Sequence, residues 1–104
     1  MPKMSFASSA APTLGVEIEV ALVDAESMAL SSVCPQILDR LSEEERVGVK
    51  PELMQCYLEA NSTVCANATE AEQDLRAKFT RVEQIADELG ARLFWSATHP
   101  FSLW

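Results

Sequence analysis

The fold of this chain is decided by the stretch Gly15-Val16-Glu17-Ile18-Glu19-Val20-Ala21-Leu22-Val23. Every second residue from Val16 onward is aliphatic, and this period of two predicts a β-strand with one face in a core. The opposite face carries Glu17 and Glu19, whose carboxylates point the same way about 7 Å apart. Like charges at this spacing repel each other unless a cation lies between them. The face is therefore either a solvated strand surface or part of a cation site.

A second stretch, from Leu53 to Cys65, repeats this arrangement. Its apolar side is predicted to hold Met54, Cys56, Leu58, Ala60 and Val64, and its other side Gln55, Tyr57, Glu59, Asn61 and Thr63. If both strands share one buried face, Glu59 lies on the same surface as the first two carboxylates. Three carboxylates without a Lys or Arg among them favour a metal site. Glu52 falls on the apolar side of this alternation, so it joins the other three carboxylates only if the strand starts irregularly.

The clearest helix is predicted from Thr69 to Leu89. Its start has the capping-box form Thr69-x-x-Glu72, and Gly90 follows its end. Apolar residues at spacings of three and four form one buried stripe: Ala71, Leu75, Phe79, Val82, Ala86 and Leu89. The pairs Glu72–Arg76 and Asp74–Lys78 are expected on the outer surface.

The remaining elements are shorter. Pro35 starts a short helix that reaches Leu41, and the charged stretch from Ser42 to Lys50 is expected to be a solvated loop. Ala91 to Thr98 is predicted to be a third strand, and its Arg92 is expected to be the only basic residue on the acidic face of the sheet. The sequence as a whole predicts an α+β fold, with helices on one face of the sheet.

Composition restricts the functional classes. The chain has 104 residues, of which 48% are apolar, and a net charge of −8, which suits a single globular domain. An acidic surface argues against nucleic acid or an anionic membrane as partner. Residues 1–12 are small and polar and are expected to be flexible. Three cysteines without CxxC spacing predict buried, reduced thiols and a cytoplasmic protein.

The last residues of the chain raise two further expectations. The single histidine, His99, precedes a proline, where a structural hydrogen bond and a ligand contact are both open interpretations. Phe101, Leu103 and Trp104 are large apolar residues, so we expect a core that continues beyond them. Exposed strand edges and this apolar patch predict a homodimer.

Four segments, in order, carry a resemblance that covers residues 13–104. They are GVEIE, PELMQCYLEANSTVC, the long helix and SATHPFSLW. Together they resemble the N-terminal part of the glutamate–cysteine ligase type of carboxylate–amine ligases, which belong with the glutamine-synthetase-like ligases. The resemblance implies the first part of a larger catalytic domain, in which an antiparallel sheet binds Mg²⁺–ATP and substrates on its open face.

The resemblance also implies a reaction and a set of site residues. ATP phosphorylates the γ-carboxylate of glutamate, and an amine such as that of cysteine displaces the phosphate. Mg²⁺, or Mn²⁺, would be bound by Glu17, Glu19 and Glu59, with Glu52 near a further acidic position of the family. Residues that would line the substrate site are Tyr57, Asn61, Thr98 and His99. Because family members are three to four times longer, the isolated chain is expected to be inactive, and a non-catalytic remnant that associates through its open sheet is the alternative.

Overall fold

A computed structural model describes residues 1–103. Its elements are β1 (Glu17–Asp24), α1 (Cys34–Arg40), β2 (Val49–Pro51), β3 (Tyr57–Asn61), α2 (Ala68–Glu88) and β4 (Ala91–Phe94). The four strands form one antiparallel sheet in the order β2-β3-β1-β4. The predicted α+β fold with an antiparallel sheet is confirmed, and β1, the strand first recognised in the sequence, lies inside the sheet.

Both helices cover the same face of the sheet. The core between them contains the apolar side of β1 and β3, namely Val20, Leu22, Leu58 and Ala60, together with the buried stripe of α2. Val82 and Ala86 of that stripe are fully buried, as is Ile37 of α1. The predicted alternation of β1 is therefore confirmed, and it gives this small protein its main apolar core.

The other face of the sheet has a second, smaller cluster. Ala21 of β1 packs there against Cys56 and Tyr57, with Leu30, Met54 and Phe94 around them. The prediction that Met54 and Cys56 lie on the apolar face is wrong. The chain bends at residues 52–56, so strand alternation starts only at Tyr57.

Helix α2 begins at Ala68, one residue before the predicted start. Its N-cap is Asn67, whose side chain accepts a hydrogen bond of 2.9 Å from the backbone N–H of Glu70. The Glu70 carboxylate in turn accepts one of 2.7 Å from the N–H of Ala66. The capping box proposed for Thr69 is therefore wrong. The side chains of Asn67 and Glu70 instead cap this helix end, the first through an N–H of the helix and the second through the N–H before the N-cap.

The two ion pairs of α2 differ in their surroundings. Glu72 and Arg76 form an exposed pair, as predicted. The prediction that Lys78 and Asp74 lie on the outer surface is wrong, since the Lys78 side chain is only 12% exposed. Its Nζ donates to Asp74 Oδ2 at 2.8 Å and to the backbone oxygen of Asn61 at 2.6 Å. This lysine ties the end of β3 to the helix.

The stretch predicted as a loop from Ser42 to Lys50 ends in strand β2, so that interpretation is wrong for Val49 and Lys50. The strand starts after Gly48, which has a φ of +78°. Gly48 accepts a hydrogen bond of 2.7 Å from the N–H of Asn61, and a Cβ on it would lie 2.5 Å from the Asn61 oxygen. Only glycine allows this close approach, which brings β2 alongside β3.

Strand β4 is shorter than predicted, because it ends at Phe94 and not at Thr98. Trp95 packs instead on Phe79 of α2, with 4.7 Å between ring centroids. Because β4 pairs with β1 only from Ala21 to Asp24, residues 17–20 have no strand partner on that side within residues 1–103. An apolar groove of about 530 Å³ lies beside this open edge, lined mainly by Leu14, Val16, Ile18, Leu75, Phe79 and Trp95.

Other features of the chain bear on the sequence predictions. All three cysteines are buried and free, which confirms the predicted reduced thiols. Within residues 1–103, no helix has the length and apolarity needed to cross a membrane. Residues 1–12 are exposed and form no helix or strand. Phe101 and Leu103 are exposed as well, whereas Trp104 lies outside the described residues.

Candidate functional site

Strand register brings the predicted carboxylates to one face of the sheet. Glu19 of β1 lies directly opposite Glu59 of β3, and Glu17 lies opposite Asn61. Residues directly opposite in an antiparallel pair have Cβ atoms about 5 Å apart, and Glu17 is about 7 Å from Glu19 along the strand. All three carboxylates therefore belong to the face of the sheet that the helices do not cover.

A lysine also lies on this face. Lys50 of β2 is opposite Glu59, so Lys50, Glu59 and Glu19 form one row across three neighbouring strands. The expectation that Arg92 is the only basic residue of the right parity is therefore wrong, although Arg92 does lie on this face, opposite Val23. Lys50 was missed because a three-residue strand that ends in Pro51 has too few residues to show a period of two.

Tyr57 lies one step further along the same face, between the acidic row and the small apolar cluster. A pocket of about 250 Å³ is lined by Glu19, Tyr57, Trp95, Ser96 and Ala97. Burial raises the pKa of the Tyr57 hydroxyl, and the nearby Cys56 thiol and Glu19 carboxylate raise it further. Tyr57 thus remains protonated well into the alkaline range and presents a neutral hydroxyl beside Glu19.

Glu52 follows directly after β2 and is not in a strand. Its charge acts on Cys34 at the start of α1, where burial and then Glu52 raise the pKa of the thiol to about 11. Glu52 could join the other carboxylates only if the strand began irregularly, and residues 52–56 are irregular in this way. Strand pairing does not extend to this residue, so no register aligns it with the Glu19–Glu59 pair.

Thr98 and His99 lie where the chain continues beyond β4. His99 Nε2 lies 2.7 Å from the backbone oxygen of Met28, and its Nδ1 accepts from the N–H groups of Phe101 and Ser102 at 3.3 and 3.0 Å. Because a backbone oxygen can only accept and the N–H groups can only donate, this geometry is that of a neutral ring with its proton on Nε2. The ring also contacts Phe94, at 5.6 Å between centroids. The backbone oxygen of Thr98 accepts a hydrogen bond of 3.1 Å from the Ser96 hydroxyl.

The row offers oxygen ligands but no complete metal cage. Among residues 1–103, no three Asp, Glu, His or Cys side chains converge closely enough to hold a metal ion. The opposed pair Glu19 and Glu59 remains suitable for a hard cation that takes few protein ligands. Mg²⁺ has this habit, because it keeps several waters and binds one or two carboxylates together with substrate phosphates. The donor set therefore fits Mg²⁺, and the metal site stays a prediction.

Comparison with known proteins gives a consistent family. The model of the family described as glutamate-cysteine ligase family 2 matches residues 13–104. A Gloeobacter violaceus protein named "Putative glutamate–cysteine ligase 2" is 37% identical over 101 residues, which are 95% of this chain and 27% of that protein. Proteins of the same kind of name from Mycolicibacterium vanbaalenii and Mycobacterium tuberculosis (strain H37Ra) are 38% and 39% identical over 102 residues, or 98% of this chain. The chain spans about 27% of the length of these curated relatives.

Proposed function

The chain belongs to glutamate–cysteine ligase family 2, and we propose that it supplies part of the Mg²⁺–ATP site of an ATP-dependent ligase. In the proposed reaction, ATP phosphorylates the γ-carboxylate of glutamate, and an amine such as that of cysteine then forms the amide bond. The observation that carries the proposal is the Glu19–Glu59 pair, on the sheet face that the helices leave uncovered. A glutamine-synthetase-like architecture for the complete domain is part of the same proposal.

Each acidic residue has a place in the proposed site. Glu19 and Glu59 would bind Mg²⁺, or Mn²⁺, through opposed carboxylates, and Glu17 lies next to them along β1. A bound Mg²⁺ neutralises charge on phosphate oxygens, which is what phosphoryl transfer mainly requires of a metal. Glu52 is a more distant candidate ligand, because it is outside the paired strands.

Neutral groups would position the substrates. Tyr57 offers its hydroxyl beside Glu19. Asn61 lies opposite Glu17, and its side-chain oxygen is buried without a hydrogen-bond partner among residues 1–103. Such an acceptor is costly to leave unpaired, so a donor group of a substrate would stabilise it. Thr98 and His99 would line the site from the chain that follows β4.

The relatives are almost four times as long as the chain, so we assign the complete reaction to the longer polypeptide. We propose that the isolated chain binds a divalent cation but does not form the amide bond. Buried free thiols also favour a cytoplasmic location, where cysteines stay reduced.

Paramagnetic broadening by Mn²⁺ tests the cation site directly. In NMR spectra of the chain, substoichiometric Mn²⁺ should broaden signals of Glu17, Glu19 and Glu59 before those of α2. The double change Glu19→Gln and Glu59→Gln should weaken Mn²⁺ binding at least about tenfold, or about 1.4 kcal/mol. Glu72→Gln, on the exposed surface of α2, is the matched control. Equal affinity of the double variant and the control would refute the proposed site.

A second candidate function, self-association, follows from the open edge of β1. Residues 17–20 have no strand partner on the β4 side within residues 1–103, and the adjacent groove is apolar. Edges and apolar patches of this kind recruit another surface. Symmetric pairing of two β1 strands about Ile18 would oppose Glu17 to Glu19 of the other copy. We therefore propose a homodimer held by the groove and not by strand pairing.

Light scattering at micromolar concentration distinguishes this dimer from an 11.4 kDa monomer. Val16→Glu places a charge in the groove and should shift the protein to the monomer. Val64→Glu places the same charge at a residue that is already 80% exposed and should leave the mass unchanged. A monomeric wild-type chain would exclude self-association without affecting the cation site.

A further inference from the structure

Lys50 is held in a defined position at the edge of the acidic face. The turn before it is fixed by Gly48, which accepts from Asn61, and by Val49, which donates 2.9 Å to the backbone oxygen of Arg46. Lys78 holds Asn61 from the other side of the sheet. The backbone of β2 thus has little freedom to slide along β3, and Lys50 stays opposite Glu59.

The ammonium group of Lys50 forms no ion pair among the residues that the structure describes. Four cations of the described chain form ion pairs, namely Arg40, Arg76, Lys78 and Arg81, whereas Arg46 and Arg92 form none. Within residues 1–103, Lys50 forms no such pair, although its strand neighbour is a carboxylate. Its side chain is exposed on the same face as Glu19.

Two ordinary roles explain Lys50 less well. A lysine on an edge strand can prevent pairing with other chains, but this requires no particular register. A lysine that only neutralised Glu59 would form an ion pair with it. The row has instead one positive and two negative positions on adjacent strands, which are about 4.8 Å apart.

We propose that Lys50 binds a phosphate oxygen of the ligand whose divalent cation is bound by Glu19 and Glu59. This inference rests on the proposed function and names a binding residue within it. The complement of the row is an anionic oxygen beside Lys50 and a cation beside the carboxylates, which is the charge pattern of a metal–polyphosphate complex. An ammonium group suits this role, because it is a point charge with three donors that binds phosphate at close range.

The three lysines of the chain allow an internally controlled test. Reductive methylation with ¹³C-formaldehyde labels the N-terminal amine and Lys3, Lys50 and Lys78, and it leaves each lysine its charge and one N–H donor. On addition of magnesium pyrophosphate at pH 7, the Lys50 resonance should shift in a saturable way. Lys3, in the exposed N-terminal stretch, should not shift, and Lys78 should keep the resonance of its ion pair. Equal shifts of Lys3 and Lys50 would indicate nonspecific anion binding and overturn the proposal.

Variants give the quantitative test. Lys50→Ala should weaken magnesium pyrophosphate binding about tenfold, as expected for loss of one charge-assisted hydrogen bond, and Lys50→Arg should restore most of it. Arg92→Ala removes a charge from the same sheet face but opposite Val23, and should change the affinity less than about twofold. Equal losses for Lys50→Ala and Arg92→Ala would overturn the assignment, since only overall charge would then matter.

The same titrations separate this proposal from the proposed function. Lys50→Ala should leave binding of Mn²⁺ alone within about twofold, because the carboxylates are unchanged. If Mn²⁺ binds but pyrophosphate does not affect Lys50, only the Lys50 proposal fails. If neither Mn²⁺ nor magnesium pyrophosphate binds the wild-type chain, both proposals fail.

Discussion

The two halves of β1 differ in how far their side chains are exposed on the same face of the sheet. Glu17 and Glu19, in the first half, are exposed, whereas Ala21 and Val23, in the second half, are fully buried. The difference comes from apolar neighbours on both sides of the second half, because Phe94 lies opposite Ala21, Leu30 lies opposite Val23, and both pack in the small apolar cluster on this face. Alternation in a sequence therefore identifies a face, but cover from distant segments decides whether that face is core or site.

The strongest test of this contrast exchanges residues between the halves. Val23→Glu places an unpaired carboxylate in a fully buried position, and we expect it to lower the free energy of unfolding by more than about 4 kcal/mol. Glu19→Val, the reverse change in the exposed half, should alter it by less than about 1 kcal/mol. Urea denaturation followed by circular dichroism measures both. Similar losses for the two variants would show that the halves are equally covered.

A second prediction concerns the turn that aligns β2 with the acidic half. Gly48→Ala should cost about 2–4 kcal/mol, since it combines a positive φ with a Cβ that clashes with the Asn61 oxygen. Gly90→Ala has a similar φ, +71°, but no atom within 4 Å of the added Cβ, so it should cost only about 1 kcal/mol. Thermal unfolding of the two variants separates the clash from the strain. Equal costs would mean that β2 shifts away from β3 without penalty.

These contrasts show how much the sequence predicts. The alternation of β1 and the stripe of α2 were readable because each repeats over many residues, and the shared buried face placed Glu19 and Glu59 on one surface. The register that sets them directly opposite each other was not predicted, because a shared face fixes the parity of a strand but not its alignment. The role of Lys50 was not readable, because β2 has only three residues. The cover over Ala21 was missed for a different reason, since it depends on a bend at residues 52–56 that interrupts strand alternation.

A third prediction compares the two ion pairs of α2, one of which supports β3 beneath the acidic half. The hydrogen bond from Lys78, opposed in part by burial and assisted by the N–H of Thr63, keeps the pKa of Asp74 below its ordinary value. The ionised Asp74 carboxylate therefore contributes to stability above about pH 4, and this contribution is lost as the pH falls through the lowered pKa of Asp74.

Asp74→Asn should cost about 1 kcal/mol at pH 7 and less at pH 2, because protonation of the wild-type carboxyl increases as the pH falls. Glu72→Gln removes the exposed pair of the same helix and should cost less than about 0.5 kcal/mol at either pH. Urea midpoints at the two pH values provide the measurement. A loss from Asp74→Asn that is independent of pH would exclude the ionic contribution.

The smallest predicted effect is at the boundary between the halves. Tyr57 is the only tyrosine, so its ionisation can be followed at 295 nm, and its pKa should lie above 10. Glu19→Gln should lower that pKa slightly but not return it to the ordinary value, since burial is the larger cause. Because the folded-state pKa is raised, stability should decline as the pH rises above about 10. If the pKa of Tyr57 returned fully to its ordinary value in Glu19→Gln, the charge of Glu19, and not burial, would be the cause of the raised pKa.

The position of β1 inside the sheet has a consequence for biosynthesis. This strand is made before its β4 partners, because residues such as Phe94, opposite Ala21, lie about 70 residues further along the chain. At the usual rate of roughly 5–20 residues per second, the ribosome needs roughly 4–14 s to make that length. Throughout this interval one edge of an aliphatic strand remains unpaired. The charged Glu17 and Glu19 then serve the nascent chain as well as the folded one, because they keep the strand soluble and discourage pairing with other chains.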